Sequence, residues 1–422
     1  MRSDIHNLML AESPEAVDAA NREFYATFPY PWPPMSFPRL DDSDFETIML
    51  NQSIGDFDHR TIPADGKIWV AGCGTNQAVY TALRFPKATV IGSDLSPASL
   101  ETAARNAKTL ELSNLELRQE SLNAVAYHDE FDYAICTGVI HHNAQPATAL
   151  SRIKRALHAN GVLELMVYNR FHRIFTTAFQ KAVRTITMHG GRVSRYQEEL
   201  AVAKAIAATE PIASSEHMSP FRDSHESKLA DAVIQPVEYS YTIESFTNLL
   251  AECGLEMMLP CYDQFSQSRG VSWDMQFTTA ELQEQFDALP DASRWQVANL
   301  LLLDRSPMLW FFVRHGRDYD DGRCAARANQ DFLDRTFIRA TTRLKNYVRG
   351  SRDLNYRLSS VSVPYPFKPK DVLVRSVIDC ADGSRTMRQI LGELGVDVSS
   401  HKTIADLRVQ TTSSLCPHLR SV

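Results

Sequence analysis

KIWVAGCGTN, residues Lys67–Asn76, is the stretch that decides the fold of this 422-residue chain. Its apolar first half predicts a buried parallel strand over residues 67–71. Gly72 and Gly74 then allow the backbone to turn sharply and to approach a ligand closely. The following residues predict a helix over 77–85, whose positive N-terminal end would face whatever lies on the turn.

A second stretch, ATVIGSDLS, covers residues 88–96 and predicts a strand over 88–93 that leads into Asp94. An acidic residue about 20 positions after a glycine turn is the expected partner of two ribose hydroxyls. An aspartate that only caps the turn before Ser96 and Pro97 is the alternative. The order of strand, glycine turn, helix, strand and acid favours a site for a nucleotide-like cofactor.

Strands and helices continue to alternate beyond this unit, which is typical of a parallel sheet with helices on both faces. The sequence predicts further strands over 115–119, 131–136, 161–167, 255–259 and 307–314. It predicts further helices over 96–108, 146–158 and 242–253.

These segments resemble the class I S-adenosylmethionine-dependent methyltransferases. VAGCGTN is similar to their first motif and GSDLS to their second. FDYAICTGVIHH (Phe131–His142) is similar to their fourth-strand motif, and GVLELMVYN (Gly161–Asn169) to their fifth strand. The resemblance covers about residues 60–316. It implies an α/β fold with a Rossmann-like seven-stranded sheet that ends in an antiparallel pair, and S-adenosyl-L-methionine as the cofactor.

One position departs from the family pattern. The family usually carries an acid two residues before the first glycine, where this chain has Val70. The ammonium group of the cofactor's methionine must therefore find another partner, such as the backbone carbonyls of the turn.

The resemblance also implies which residues hold the cofactor. Asp94 should bind the ribose hydroxyls, and Glu120 should accept the adenine amino group, although a solvent-facing loop acid is the alternative for Glu120. The expected cofactor-binding residues are Tyr30, Ala71, Gly72, Cys73, Gly74, Thr75, Gln77, Asp94, Leu95, Glu120, Ser121, Thr137 and Gly138.

Methyl transfer from a sulfonium is a direct displacement, so positioning can supply most of the catalysis. His141 and His142 follow the fourth strand, close to where the family carries out its reaction. Either histidine is a candidate general base, because histidine titrates near neutral pH; alternatively, the pair only lines the pocket. Tyr168, Asn169 and Arg170 follow the fifth strand and are candidates to bind the substrate or to hold a lid.

An N-terminal arm over residues 1–59 precedes the methyltransferase-like domain. It predicts a helix over 12–28, followed by FPYPWPP, in which the prolines hold the chain extended. Tyr30 and Trp32 are displayed on this segment. They are expected to form a lid over the cofactor or substrate, or else to pack the arm on the core, and Trp32 is a candidate substrate contact.

Two insertions, 170–240 and 262–305, interrupt the domain and predict helices at about 172–188 and 194–209 and a helical pair around Pro290. They would form a substrate cap or a homodimer surface. Residues 317–350 form a basic segment with a predicted helix over 328–349, in which Arg335, Arg339 and Arg343 share one face, either solvated or bound to an acidic partner.

The remaining residues, 351–422, predict a linker or an edge over 351–370 and then a small, mainly helical module. The phrase VIDCADGSRTMRQIL resembles winged-helix modules similar to the peptide chaperones of modified-peptide pathways.

Composition excludes several classes. The net charge of −7 gives no general attraction for nucleic acid or for an anionic membrane. The seven cysteines include no CxxC pair, so we expect no metal site. No long apolar run or signal-peptide pattern is present, and a cytoplasmic protein is expected.

Two functions of different classes follow from the sequence. The first is a methyltransferase that acts on a small-molecule, natural-product or modified-peptide acceptor. The second is a catalytically inactive S-adenosylmethionine-binding scaffold or sensor, which the valine at position 70 supports. RNA methylation is a weaker idea, since the core domain carries no basic patch with interleaved aromatic residues.

Overall fold

The computed structural model describes residues 13–189, 195–221, 225–264, 267, 272–316, 322–351 and 355–422. The start of the predicted 194–209 helix, at residue 194, lies outside the described residues, and so do residues 222–224 of the first insertion. The absence of a signal peptide was predicted from the first ten residues, which also lie outside them.

Helices occupy the arm, both faces of the central sheet, the insertions and the C-terminal module. The described α-helices are α1 (Pro14–Thr27), α2 (Phe45–Ser53), α3 (Gln77–Arg84), α4 (Pro97–Thr109), α5 (Pro146–Ala156), α6 (Arg170–Thr187), α7 (Tyr196–Ala207), α8 (Glu226–Val233), α9 (Ile243–Glu252), α10 (Ala280–Asp287), α11 (Asp291–Leu302), α12 (Cys324–Asp334), α13 (Val372–Cys380), α14 (Met387–Glu393) and α15 (His401–Thr412).

Strands form one large sheet and two small ones. The described strands are β1 (Ser36–Leu40), β2 (Lys67–Ala71), β3 (Thr89–Asp94), β4 (Leu115–Gln119), β5 (Phe131–Thr137), β6 (Leu157–Val167), β7 (Leu255–Pro260), β8 (Leu309–His315), β9 (Thr336–Arg339), β10 (Thr342–Arg349), β11 (Tyr356–Tyr365), β12 (Asp382–Thr386) and β13 (Leu419–Ser421).

The large sheet has seven strands in the order β4-β3-β2-β5-β6-β8-β7. Strand β2 pairs in parallel with β3 and β5, and β8 runs antiparallel to both β6 and β7. The predicted Rossmann-like sheet with a closing antiparallel pair is therefore confirmed. Strand β2 is buried on both faces: Trp69, Val70 and Ala71 are fully enclosed. This double burial explains why the strand is an unbroken apolar run.

The first insertion packs against the N-terminal arm and forms a second core. Phe24 of α1 and Phe28, directly after that helix, pack with Phe179 and Val183 of α6 and with residues of α8. This packing brings two segments that are 150 residues apart to the same edge of the sheet.

The predicted basic helix over 328–349 is wrong beyond Asp334. Helix α12 ends at that residue, and strands β9 and β10 follow. Thr342, Tyr347 and Val348 belong to the residue types that favour strands. Strand β10 pairs antiparallel with β1 of the arm, with Phe37 opposite Tyr347.

The three arginines of that segment do not form a row. Arg335 pairs with Asp58 at 2.8 Å, Arg339 pairs with Asp379 at 2.5 Å, and the Arg343 Nε donates to Ser362 Oγ at 2.9 Å. For residues 351–370 the linker prediction is wrong and the edge prediction is right, because residues 356–365 form β11, which pairs with β10 at the edge of a small sheet.

The C-terminal module is built from helices α13, α14 and α15 and a small sheet in the order β12-β9-β13. It shares hydrogen bonds with the arm through Gln52 of α2, which is fully buried. The Gln52 Nε2 donates to the Leu419 carbonyl at 2.8 Å, and its Oε1 accepts from the Ser421 N–H at 2.7 Å. The division of the chain into four segments stays a prediction.

Two features, a membrane-spanning helix and a metal-ligand cluster, are absent from the residues that the structure describes. No helix among them combines the length and the apolar character needed to cross a membrane. No group of three or more His, Cys, Asp or Glu side chains in the same residues could hold a metal ion.

We expect Gln52→Leu to lower the free energy of unfolding by about 2 kcal/mol or more, because it leaves buried backbone groups of β13 without partners. Urea unfolding followed by circular dichroism measures this change. Gln276→Leu is the matched control, since Gln276 is exposed. An equal effect of both substitutions would contradict the role given to Gln52.

Candidate functional site

A cavity of about 550 Å³ lies at the carboxyl ends of the parallel strands, where ligands bind in open α/β sheets. The strands supply its lining in sheet order. Glu120 follows β4, Asp94 ends β3, Gly72–Gly74 follow β2, and Thr137 and Gly138 lie at the end of β5. The far end is lined by Met166, Tyr168 and Met308, and the arm covers the cavity with Asp18, Asn21, Tyr25 and Tyr30.

The glycine turn is in contact with the arm. Gly72 and Gly74 have φ of +71° and +54°. A Cβ atom on Gly72 would lie 2.4 Å from Val139 Cγ2, and one on Gly74 would lie 2.8 Å from the Tyr30 carbonyl oxygen. The Thr75 hydroxyl donates to the Pro31 carbonyl. Both glycines are therefore needed for conformation and for space.

Asp94 binds the turn and also lines the cavity. Its Oδ2 accepts from the Gly74 N–H and its Oδ1 from the Ser96 N–H, each at 2.8 Å. Burial raises the pKa of Asp94, and the hydrogen bonds from the backbone oppose that rise. The capping role considered from the sequence is thus present, together with a place in the cavity wall.

A second acidic group lies at the same end. The Glu120 carboxylate accepts from the Tyr127 hydroxyl at 2.5 Å. Asp18 of α1 accepts from the Ser121 hydroxyl at 2.5 Å and from the Asn123 amide at 3.2 Å. These bonds tie the arm to the loop after β4.

The two histidines have different surroundings. His141 is fully buried, stacks on Tyr168 with ring centroids 3.7 Å apart, and does not line the cavity. Neither of its ring nitrogens has a hydrogen-bond partner among the described residues. Burial, followed by the nearby His142, holds the pKa of His141 well below its usual value. The structure gives His141 a packing position rather than a place next to a ligand.

His142 does line the cavity. Its Nδ1 lies 2.7 Å from the Val237 carbonyl, which can only accept a hydrogen bond, so Nδ1 carries the proton. Burial lowers the pKa of His142, and the ring is therefore neutral near pH 7 with an unprotonated Nε2.

Three of the predicted substrate contacts, Trp32, Asn169 and Arg170, lie outside the lining of this cavity. Asn169 is buried, and its amide donates to Ser306 Oγ at 2.8 Å. The Arg170 guanidinium donates to the Ser240 carbonyl at 3.2 Å. Trp32 is exposed at the surface and stacks on His225 with centroids 5.6 Å apart. Among the predicted cofactor contacts, Ala71, Thr75 and Ser121 are also absent from the lining.

The sequence did not identify Asp231, which lies in α8 within the first insertion. Asp231 is buried and lines the cavity. Its two oxygens accept from the Tyr25 hydroxyl at 3.1 Å and the Tyr168 hydroxyl at 3.3 Å. Burial raises the pKa of this carboxyl. No motif surrounds Asp231 in the sequence, so only the packing of the insertion on the arm could identify it.

We expect Gly74→Ala to lower the free energy of unfolding by about 1–3 kcal/mol, because a side chain there combines positive φ with a clash against the Tyr30 carbonyl. Gly392→Ala is the matched control, since a Cβ atom there meets nothing within 4 Å. Chemical unfolding of both variants gives the comparison. If both substitutions changed stability equally, the close approach of the arm would be refuted.

The lowered pKa of His141 predicts a pH dependence. The unfolded chain binds the proton near pH 6.5 and the folded chain only well below it, so His141 destabilises the fold as pH decreases below about 6.5. His141→Phe should remove this decrease in stability. As the pH decreases below about 6.5, the free energy of unfolding of the variant should rise relative to that of the unaltered protein by up to about 1.4 kcal/mol per pH unit.

Unfolding at pH 7.5, 6.5 and 5.5 measures the effect, with His128→Phe as a control at an exposed histidine. A constant difference between His141→Phe and the unaltered protein over this range would show that His141 takes up its proton equally in both states.

Comparison with known proteins agrees with this geometry. Residues 68–199 match a family model described as "Methyltransferase domain". An uncharacterized protein of Synechococcus sp. is 25% identical over 260 residues, which are 57% of this chain and 61% of that protein. The malonyl-[acyl-carrier protein] O-methyltransferase of Paenibacillus sp. is 26% identical over 166 residues, 36% of this chain and 60% of the relative.

The chain thus spans about three fifths of the length of these two curated relatives. Among solved structures, PKMT2 from Rickettsia typhi in complex with AdoHcy shares the fold with a TM-score of 0.54 at 14% identity. The likeness covers 93% of this chain and 77% of that one. Residues 68–199 are thus similar to a methyltransferase domain, and the seven-stranded sheet that contains them has the fold of S-adenosylmethionine-dependent methyltransferases.

Proposed function

We propose that this protein transfers a methyl group from S-adenosyl-L-methionine to an acceptor bound at the Tyr168 end of the cavity. One observation carries the proposal: the lining changes character along the sheet edge. Carboxylates lie at the β3 and β4 end, the glycine turn lies in the middle, and aromatic side chains with a buried acid lie at the β6 end. Such a series suits an adenosine, a methionine and an acceptor in that order.

The residues present fit this cofactor. The volume of about 550 Å³ is within the range of small-molecule sites, roughly 300–1,000 Å³. Asp94 has two backbone N–H partners, Gly74 and Ser96, and a carboxylate has about four acceptor positions. Capacity for ribose hydroxyls therefore remains. Glu120 would hold the adenine amino group, and the turn at Gly72 would receive the methionine.

The bound cofactor supplies a methyl group on a positively charged sulfur, open to direct displacement. This chain's own residues supply position: Tyr30 of the arm covers the turn, and Tyr168 borders the acceptor end. His142 is neutral and keeps its proton on Nδ1, so its Nε2 is in the form that accepts a hydrogen bond. Holding two reactants in line is worth several kcal/mol of barrier, roughly 7–11 in favourable cases.

The acceptor class follows less directly. We propose a small-molecule, natural-product or modified-peptide acceptor; the acceptor in the name of the Paenibacillus relative is malonyl-[acyl-carrier protein]. The described cysteines are all free, which supports a reducing compartment such as the cytoplasm. A homodimer through the two insertions stays a prediction.

The second candidate, an inactive S-adenosylmethionine-binding scaffold or sensor, is favoured by two observations. Val70 is a core residue where the family usually carries an acid, and His141 has no contact with the cavity. Release of S-adenosylhomocysteine in the presence of host extract separates the two: an enzyme produces it and a sensor does not.

We expect Asp94→Asn to weaken binding of S-adenosylmethionine by about 1.5–3 kcal/mol, the range for hydrogen bonds to a charged group. Isothermal titration calorimetry measures the Kd. Asp397→Asn is the matched control. The Asp397 carboxylate accepts a hydrogen bond from the Ser399 N–H at 2.9 Å, as Asp94 does from Ser96, but Asp397 lies on the surface. Equal Kd values for both variants, each shown to be folded, would refute the cofactor site.

A further inference from the structure

We propose that the acceptor atom is an amine nitrogen, which the buried carboxylate of Asp231 receives as an ammonium group. This inference rests on the proposed function and names the substrate class of the same cavity. The first argument is the position of Asp231, which accepts a hydrogen bond from Tyr168, directly after β6. Asp94 and Glu120 lie at the adenosine end of the cavity, three or more strands away in the order of the sheet. Asp231 therefore faces the part of the cavity that the cofactor's nucleoside does not fill.

The charge of Asp231 is only partly offset within the protein: His142, when protonated, and Arg173 favour its ionised form, but neither forms an ion pair with it. Among the residues that the structure describes, no cation lies within ion-pair distance of it. The nearby Arg173 forms a buried ion pair with Glu238 and stacks on the Tyr168 ring, 4.3 Å from its centroid. His142 is neutral, as shown above. A buried carboxylate without a paired cation is costly, so a cationic ligand is the partner that would stabilise it.

The surrounding side chains suit an ammonium group in particular. Tyr25 and Tyr168 both donate their hydroxyl protons to Asp231, which orients the carboxylate and leaves acceptor positions on it. Tyr30 lies on the arm above the same space, and burial raises its pKa to about 12, so its ring stays neutral. Aromatic faces around a carboxylate attract a desolvated cation through cation–π interactions.

Methylation needs the nitrogen lone pair, so the ammonium group must first lose a proton. An alkylammonium R–NH₃⁺ gives a proton to Asp231, whose pKa is raised by burial towards that role. Its lone pair then forms the N–C bond to the methyl group as the S–C bond breaks and that electron pair stays on sulfur. The products are R–NH₂⁺–CH₃ and S-adenosylhomocysteine, and the proton passes from Asp231 to solvent.

The experiment uses the full chain saturated with S-adenosylhomocysteine and two probes of equal length, n-butylammonium and 1-butanol, titrated by calorimetry at constant ionic strength. We expect the ammonium to bind at least tenfold more tightly than the alcohol. Asp231→Asn should abolish this preference and change the Kd of S-adenosylhomocysteine less than threefold. Tyr25→Phe should reduce the preference and retain the charge, which provides a second variant if Asp231→Asn does not fold.

Asp18→Asn is the matched control: it removes one carboxylate from the same cavity at the end near Ser121, and it should keep the preference for the ammonium. Equal binding of the two probes by the unaltered protein would overturn the inference, as would a preference that persists in Asp231→Asn. A loss of S-adenosylhomocysteine binding in Asp231→Asn would assign Asp231 to the cofactor's own amino group and also overturn it. Failure of the unaltered protein to bind S-adenosylhomocysteine would refute the proposed function instead.

Discussion

The structure depends on a close approach of two backbone segments, the glycine turn after β2 and the arm at Tyr30. Gly74 meets the Tyr30 carbonyl at a distance that leaves no space for a side chain, and its N–H is bound by Asp94. Thr75 and Asn76 donate to the carbonyls of the next two arm residues. This contact thus holds β2, β3 and the arm together. The arm covers the sheet edge there, and this cover encloses the cavity.

The electrostatics of the cavity follow from burial rather than from net charge. Arg173 and Glu238 neutralise each other beneath Tyr168, while the hydrogen-bond donors to Asp231 among the described residues are the hydroxyls of Tyr25 and Tyr168. An ionised carboxylate in this position works against folding, since burial raises its pKa. Proteins tolerate such local conflicts mainly at functional sites. The contrast with the paired acids elsewhere in the insertion distinguishes Asp231 as a group whose partner comes from outside the chain.

The sheet could be predicted from the sequence because its signals are local. Strand β2 is an apolar run that ends in a glycine turn, and the predicted bounds of 67–71 match those observed. The predicted helix around Arg335–Arg343 was wrong because the interactions that determine this segment are not local. Arginines at four-residue spacing fit a helix pattern, but Tyr347 and Val348 pair with a strand about 300 residues earlier in the chain. No local pattern carries that information.

The candidate site also has one part that could be predicted from the sequence and one part that could not. Gly72, Gly74, Asp94 and Glu120 lie in recognisable motifs, and all line the cavity. The part beyond the motifs was not accessible to sequence reasoning. Asp231 reaches the cavity through a helix in an insertion, and Asn169 is drawn away from it by Ser306, which lies 137 residues further along the chain. Long-range packing determined both outcomes.

The pairing of β1 with β10 has a consequence for how the protein is made. Strand β1 leads directly from the arm that covers the cavity, and its partner residues extend to Val348. A ribosome that adds roughly 5–20 residues per second needs about 15–60 s between the two strands. During that interval β1 has no strand partner, and the arm is held by its contacts with the glycine turn and the first insertion. A nascent or truncated chain would thus carry the arm without its strand anchor, and the fully anchored cover belongs to the nearly full-length polypeptide.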